Sequence, residues 1–133
     1  MIVVDASALL EVLLNSPPGE RLTQRLRRSE EALHAPHLID LEVTQALRRY
    51  QAAGEMSPQR AHQALLAFVQ MPLERHPHWP FLERIWELRR NLTAYDAAYV
   101  ALAEALDATL LTCDRALASA PGHRADVELI EGP

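Results

Sequence analysis

Met1-Ile2-Val3-Val4-Asp5-Ala6-Ser7-Ala8-Leu9 opens the chain, and its reading decides the fold. Ile2 to Val4 is a continuous apolar run with no polar alternation. Such a run reads as a strand buried on both faces, typical of a parallel sheet. Ser7 is expected to cap a helix running through Leu9, Leu10, Leu13 and Leu14. A buried strand passing straight into a helix is the first half of a β-α-β unit, and it leaves Asp5 at the strand's carboxyl end. Ligands of open parallel sheets sit beyond that end.

Working outward, the same alternation continues. Asn15 to Gly19 reads as a turn, because it holds two prolines and a glycine. Glu20 to Arg28 reads as a short helix, and Ala32 to Ala35 as a strand closed by Pro36. Leu38 to Ala53 is an amphipathic helix stopped by Gly54. Ser57-Pro58 opens another helix, with serine as cap and proline at the first position, running to Gln70. Pro72 to His76 reads as a short strand and Trp79 to Arg90 as helix. Thr93 caps a helix through Leu106. Ala108 to Cys113 is a strand, Asp114 starts a short helix, and Val127 to Ile130 is a last strand. Strands alternating with helices give an α/β layered fold with a central, mostly parallel sheet flanked by helices.

The bulk numbers fit one domain over residues 1–133. Apolar residues make up 49% of the chain, enough for a core. No apolar run approaches a membrane span. The N-terminal run lacks a basic leader and holds Asp5, so it is not read as a signal peptide. One cysteine, Cys113, excludes an intramolecular disulfide and suits a reducing cytoplasm. The net charge is −5, and all 13 basic residues are arginine. The absence of lysine removes P-loop, kinase-type and Schiff-base chemistry.

Four acids stand out. Asp5 and Asp114 each follow a strand. On the helix from Leu38, Ile39, Val43, Ala46, Leu47 and Tyr50 form an apolar stripe. Glu42 and Asp40 flank it, roughly 160° apart, so only one can face a common site. On the last long helix Tyr95, Tyr99, Leu102 and Leu106 form the stripe, and Asp96 flanks it in the first turn. Hard oxygen ligands with few neutralising bases suit Mg²⁺ or Mn²⁺. Such an ion could polarise a phosphodiester and activate water. Each acid also has a plain structural reading. Asp5 and Asp114 are good helix caps. Asp96, three residues after Thr93, could complete a capping box. Glu42 alone could be a solvated helix position.

Taken in order, Ile2-Val3-Val4-Asp5-Ala6-Ser7-Ala8-Leu9, Glu42 before Ala46-Leu47-Arg48-Arg49, Tyr95-Asp96-Ala97-Ala98-Tyr99-Val100-Ala101-Leu102-Ala103 and Leu110-Leu111-Thr112-Cys113-Asp114-Arg115 resemble the PIN-domain ribonucleases, and within them the VapC toxins of type II toxin–antitoxin pairs. The resemblance spans nearly the whole chain. It implies a three-layer α/β sandwich, Mg²⁺- or Mn²⁺-dependent endoribonuclease activity on RNA, a homodimer, and inhibition by a cognate antitoxin. It places Asp5, Glu42, Asp96 and Asp114 at the catalytic, metal-binding positions, and Ser7 and Thr112 at supporting hydroxyl positions.

Other residues carry weaker readings. Arg89, Arg90 and Arg115 lie near the motifs and are candidates for gripping RNA phosphate. The six histidines lack a zinc-site spacing and read as structural or surface residues. Trp79, Phe81 and Trp86 read as core. Competing functions are a housekeeping RNA-processing nuclease, a degenerate binding domain, and a Mg²⁺-binding receiver module. Receivers need a lysine and an acidic pair at the first strand, and this chain has neither.

Overall fold

A computed structural model describes residues 1–131. Its centre is a five-stranded parallel sheet, built from β1 (Ile2–Val4), β2 (Leu33–Pro36), β3 (Glu74–His76), β4 (Thr109–Thr112) and β5 (Asp126–Leu129), in the order β3-β2-β1-β4-β5. The opening strand is therefore the middle one. Its three residues are fully buried, as their unbroken apolar pattern requires.

Helices cover both faces. The crossovers from β1 to β2 and from β2 to β3 carry α1 (Ala6–Leu13), α2 (Pro17–Ser29), α3 (Ile39–Ala52) and α4 (Pro58–Gln70), which pack against one another on one side. The return to β4 carries a 3₁₀ turn at Trp79–Phe81, then α5 (Leu82–Glu87) and α6 (Ala94–Leu106), on the other. A short α7 (Arg115–Ala118) links β4 to β5. In α6 every residue from Ala97 to Ala103 is buried. Its alanines let it lie close on β1, β2 and β4.

Several boundaries and faces depart from expectation. α1 is capped by Asp5, whose backbone is extended and whose carboxylate accepts from Ala8 N–H; Ser7 lies inside the helix. α2 begins at Pro17, because Ser16 caps it and the prolines fit its first turn, where an N–H has no partner to lose. The expected helix from Trp79 to Arg90 is broken, and only its middle is α-helical. Trp79 and Trp86 are not core: they are 75% and 67% exposed. The short α5 turns Ile85 inward, which leaves Trp86 facing out beneath the Arg89 guanidinium. Tyr95 is 66% exposed and leaves the apolar stripe of its helix to Tyr99 and Leu102. The strand expected over Pro72 to His76 is shorter and runs over Glu74–His76.

Candidate active site

Asp5 is the most enclosed of the four acids, at 5% exposure. Both of its oxygens are occupied. Oδ1 accepts from Ala8 N–H at 2.9 Å and from the Ser7 hydroxyl at 2.7 Å. Oδ2 accepts from the Thr112 hydroxyl at 2.5 Å. The two hydroxyls are themselves anchored, since Ser7 Oγ accepts from Cys113 N–H and Thr112 Oγ1 from Asp114 N–H. One network thus ties the end of β1 to the end of β4, across 107 residues of sequence. It explains why hydroxyl side chains stand at positions 7 and 112.

Glu42 reaches the same cleft from the first turn of α3. Its Oε1 accepts a 2.6 Å hydrogen bond from the Tyr99 hydroxyl, and Tyr99 is fully buried in α6. The helical projection left Asp40 and Glu42 as rivals. Asp40 points away and pairs with Arg75 at 2.7 Å. Asp96 is half-buried in the first turn of α6. Thr93 caps that helix by accepting from Asp96 N–H. The reciprocal bond of a capping box is not formed among the described residues, so the Asp96 carboxylate is free for other work. Asp114 caps α7 by accepting from Ala116 and Leu117 N–H groups.

The acids share one electrostatic environment. Burial raises the Asp5 carboxyl above its usual range against the pull of its three hydrogen bonds, and the charge of Asp96 adds to the rise. Burial also raises Glu42, offset by Tyr99 and reinforced by Asp96 and Asp5. Asp96 is raised by burial and then by Asp114. Burial and the nearby Asp5 and Glu11 charges lift the Cys113 thiol to about 11, so it stays protonated and unreactive. Among the described residues, none of the four acids takes part in an ion pair. Nor do any three of them bring ligand atoms within 4.8 Å of one another.

Reading from sequence missed Tyr99 as a polar participant and took it for an apolar stripe residue. The signal was its position one turn after Asp96, on the same flank of α6. The arginines lie outside the acid cluster. Arg89 stacks on Trp86 at 4.4 Å, Arg115 pairs with Glu131, and Arg90 is exposed. Beside Glu42 opens an apolar groove of about 620 Å³, walled by Leu38, Leu41, Leu82, Ile85 and Tyr95.

The profile of the PIN domain matches residues 2–122. This chain belongs to the PIN-domain family. Its curated relatives place it among the VapC ribonucleases. Ribonuclease VapC12 of Mycobacterium tuberculosis is 42% identical over 130 residues, covering 98% of this chain and 99% of the relative. Ribonuclease VapC1 of the same species is 43% identical over 129 residues, covering 96% of each. Among solved structures, a toxin–antitoxin complex from Klebsiella pneumoniae superposes with a TM-score of 0.69 at 19% identity, over the whole of both chains. That likeness speaks for the fold of this PIN domain. The sandwich expected from the sequence is the one observed.

Proposed function

We propose that this PIN domain is the toxin of a type II toxin–antitoxin pair, a divalent-metal-dependent endoribonuclease that hydrolyses RNA phosphodiesters. One observation carries the reading. Asp5, Glu42 and Asp96 come from three separate elements, lie within reach of one another's charge, are raised by burial, and have no basic partner among the described residues. Concentrating uncompensated carboxylates costs stability, so a fold that does it has a use for them. The VapC relatives name that use as ribonuclease.

The donor set fits Mg²⁺ or Mn²⁺: carboxylates only, with no thiolate or imidazole among them. Asp5, Asp96 and Asp114 would hold the ion, with Glu42 orienting the attacking water or holding a second ion. When bound, the ion would polarise the phosphate and make water a better nucleophile. The chain's own residues set the rest. Ser7 and Thr112 fix the Asp5 carboxylate by donating to both its oxygens. Tyr99 fixes Glu42. Asp114 is held at the head of α7 by the N–H groups it caps. Arg89, Arg90 and Arg115 remain candidates for phosphate contact on the exposed rim.

The groove beside Glu42 is the place where a cognate antitoxin segment would dock. Its walls are apolar, and an arginine from the partner could reach Glu42. Exposed Trp79, Leu82 and Trp86 offer apolar surface for a homodimer. The test of the reading is cleavage of purified structured RNAs with Mg²⁺, with Mn²⁺ and with EDTA, beside Asp96→Asn. Discrete cuts that need metal and vanish in the variant are expected. Equal cutting by folded Asp5→Asn and Asp96→Asn proteins would sink it.

A further inference from the structure

A second cluster of ligating side chains lies outside the acidic cleft, on the β2–β3 edge of the sheet. His34 and Glu74 are register partners across the two strands, and His76 stands two residues beyond Glu74. Arg75 leans on Phe68 of α4 and pairs with Asp40 of α3, so it points to the α1–α4 face. Strand alternation then sends Glu74 and His76, with His34 opposite them, to the other face. There His34 Nδ1 lies 2.9 Å from His76 Nε2 and 3.5 Å from Glu74 Oε2. Among the described residues this is the one set of His, Cys, Asp or Glu ligand atoms that all fall within 4.8 Å of one another.

We propose that His34 Nδ1, His76 Nε2 and the Glu74 carboxylate form a binding site for a divalent transition-metal ion of the Zn²⁺ class, separate from the acidic cleft. Two imidazoles and a carboxylate are the donor set such ions take. A tetrahedral ion with bonds of about 2.0–2.1 Å needs its donors somewhat over 3 Å apart, so the rings need separate by only about half an ångström. The site is enclosed on one side and open on the other: His34 is 5% exposed, whereas the Glu74 side chain is 65% exposed. That leaves a fourth position for water. Burial pushes the His34 imidazole toward its neutral form, which is the form that ligates.

The alternative is a plain hydrogen bond between two rings sharing one proton. That hydrogen bond joins two of the three groups and leaves the Glu74 carboxylate, 3.5 Å from the same Nδ1, outside it, whereas an ion takes all three. The buried His34 Nε2 is without a hydrogen-bond partner in either arrangement. The ion would clip the edge strand β3 to β2. It would also sit at the root of the segment carrying His78, whose ring accepts from Leu38 N–H at the groove wall.

The test is calorimetric titration of the metal-stripped full chain with Zn²⁺, repeated with Co²⁺ while its visible absorption is followed. Wild type and Asp96→Asn should each bind one equivalent at this site, because the acidic cleft is not involved. Glu74→Gln should weaken binding by about tenfold or more, since loss of even an outer-shell partner costs that much. In the Asp96→Asn background, where the acidic cleft is impaired, His76→Gln should abolish it, and Zn²⁺ should raise the melting temperature of Asp96→Asn but not of Asp96→Asn/His76→Gln. Glu74 is exposed, so Glu74→Gln decides the matter if His76→Gln fails to fold. No Zn²⁺ bound by folded wild type at millimolar metal would overturn the proposal. So would binding lost in Asp96→Asn, or binding unchanged in Glu74→Gln.

Discussion

Tyr99→Phe isolates one hydrogen bond in the candidate site. The substitution keeps the buried ring, so no cavity forms in α6. It removes only the hydroxyl that donates to Glu42 Oε1 at 2.6 Å. A hydrogen bond to a charged acceptor is worth about 1.5–3 kcal/mol, and here it goes to the ionised form of Glu42. Without it Glu42 holds its proton to higher pH, because burial and the Asp96 and Asp5 charges then act unopposed. A ligand must be ionised to bind metal, and 1.4 kcal/mol corresponds to a factor of ten. Tyr99→Phe is therefore expected to weaken Mn²⁺ binding about ten- to hundredfold, as other outer-shell losses do. Cleavage at saturating metal should largely recover, and the acid limb of the pH–rate profile should move to higher pH. The assay is Mn²⁺ titration together with cleavage rate against metal concentration and pH. Because Tyr99 acts through Glu42, a purely structural role would lower the melting temperature without moving the metal midpoint. A folded variant with wild-type Mn²⁺ affinity and an unmoved acid limb would refute the reasoning.

Three further outcomes follow. Without metal, stability should fall as pH rises: Asp5, Glu42 and Asp96 are raised above their ordinary values of 3.8, 4.5 and 3.8, so their contribution is full below those values and lost as pH rises through the raised ones. Asp96→Asn should remove part of that fall and melt higher than wild type in EDTA at pH 7, and thermal melts across pH 4–8 in EDTA and in Mn²⁺ would show it. Asp5→Asn should keep the helix cap while losing cleavage, whereas Asp5→Ala should lose about 1 kcal/mol more by denaturant unfolding, since alanine cannot cap α1. Arg84→Met should cost about 3 kcal/mol, because Arg84 grips the Glu104 carboxylate at 2.7 and 2.9 Å and the Glu104 side chain is 2% exposed; an unchanged unfolding midpoint would show that Glu104 finds water or Arg124 instead.

The middle of the sheet was legible because β1 and β4 are short, mostly apolar and buried runs set between helices with good caps. Ser57-Pro58 and Thr93 marked helix starts by local chemistry alone, and both caps form. The acids at strand ends were legible for the same reason, since position after a buried run fixes them. What local pattern could not supply was the neighbour across the fold. Ser7 looked like a cap until Asp5 took that place and left Ser7 to bridge toward β4. Trp86 looked like core because aromatic residues usually are, but burial of a six-residue helix depends on what lies against it. Tyr99 and Glu42 are 57 residues apart, and only the packing of α6 near α3 joins them. His34 and His76 meet across two strands, 42 residues apart, where no spacing rule for one segment would find them.

The middle strand of the sheet is the first to be made. On a ribosome, residues 2–4 emerge before either neighbouring strand, and β4, which completes one side, emerges about a hundred residues later. Until Thr112 arrives, Asp5 has no partner for its second oxygen, and until Asp96 and Asp114 arrive the cluster is half assembled. On the proposed four-acid site, cutting waits for nearly the whole chain to be released and folded. The cell gains an interval in which this protein is present but harmless, and a freshly made antitoxin could meet it before it is armed.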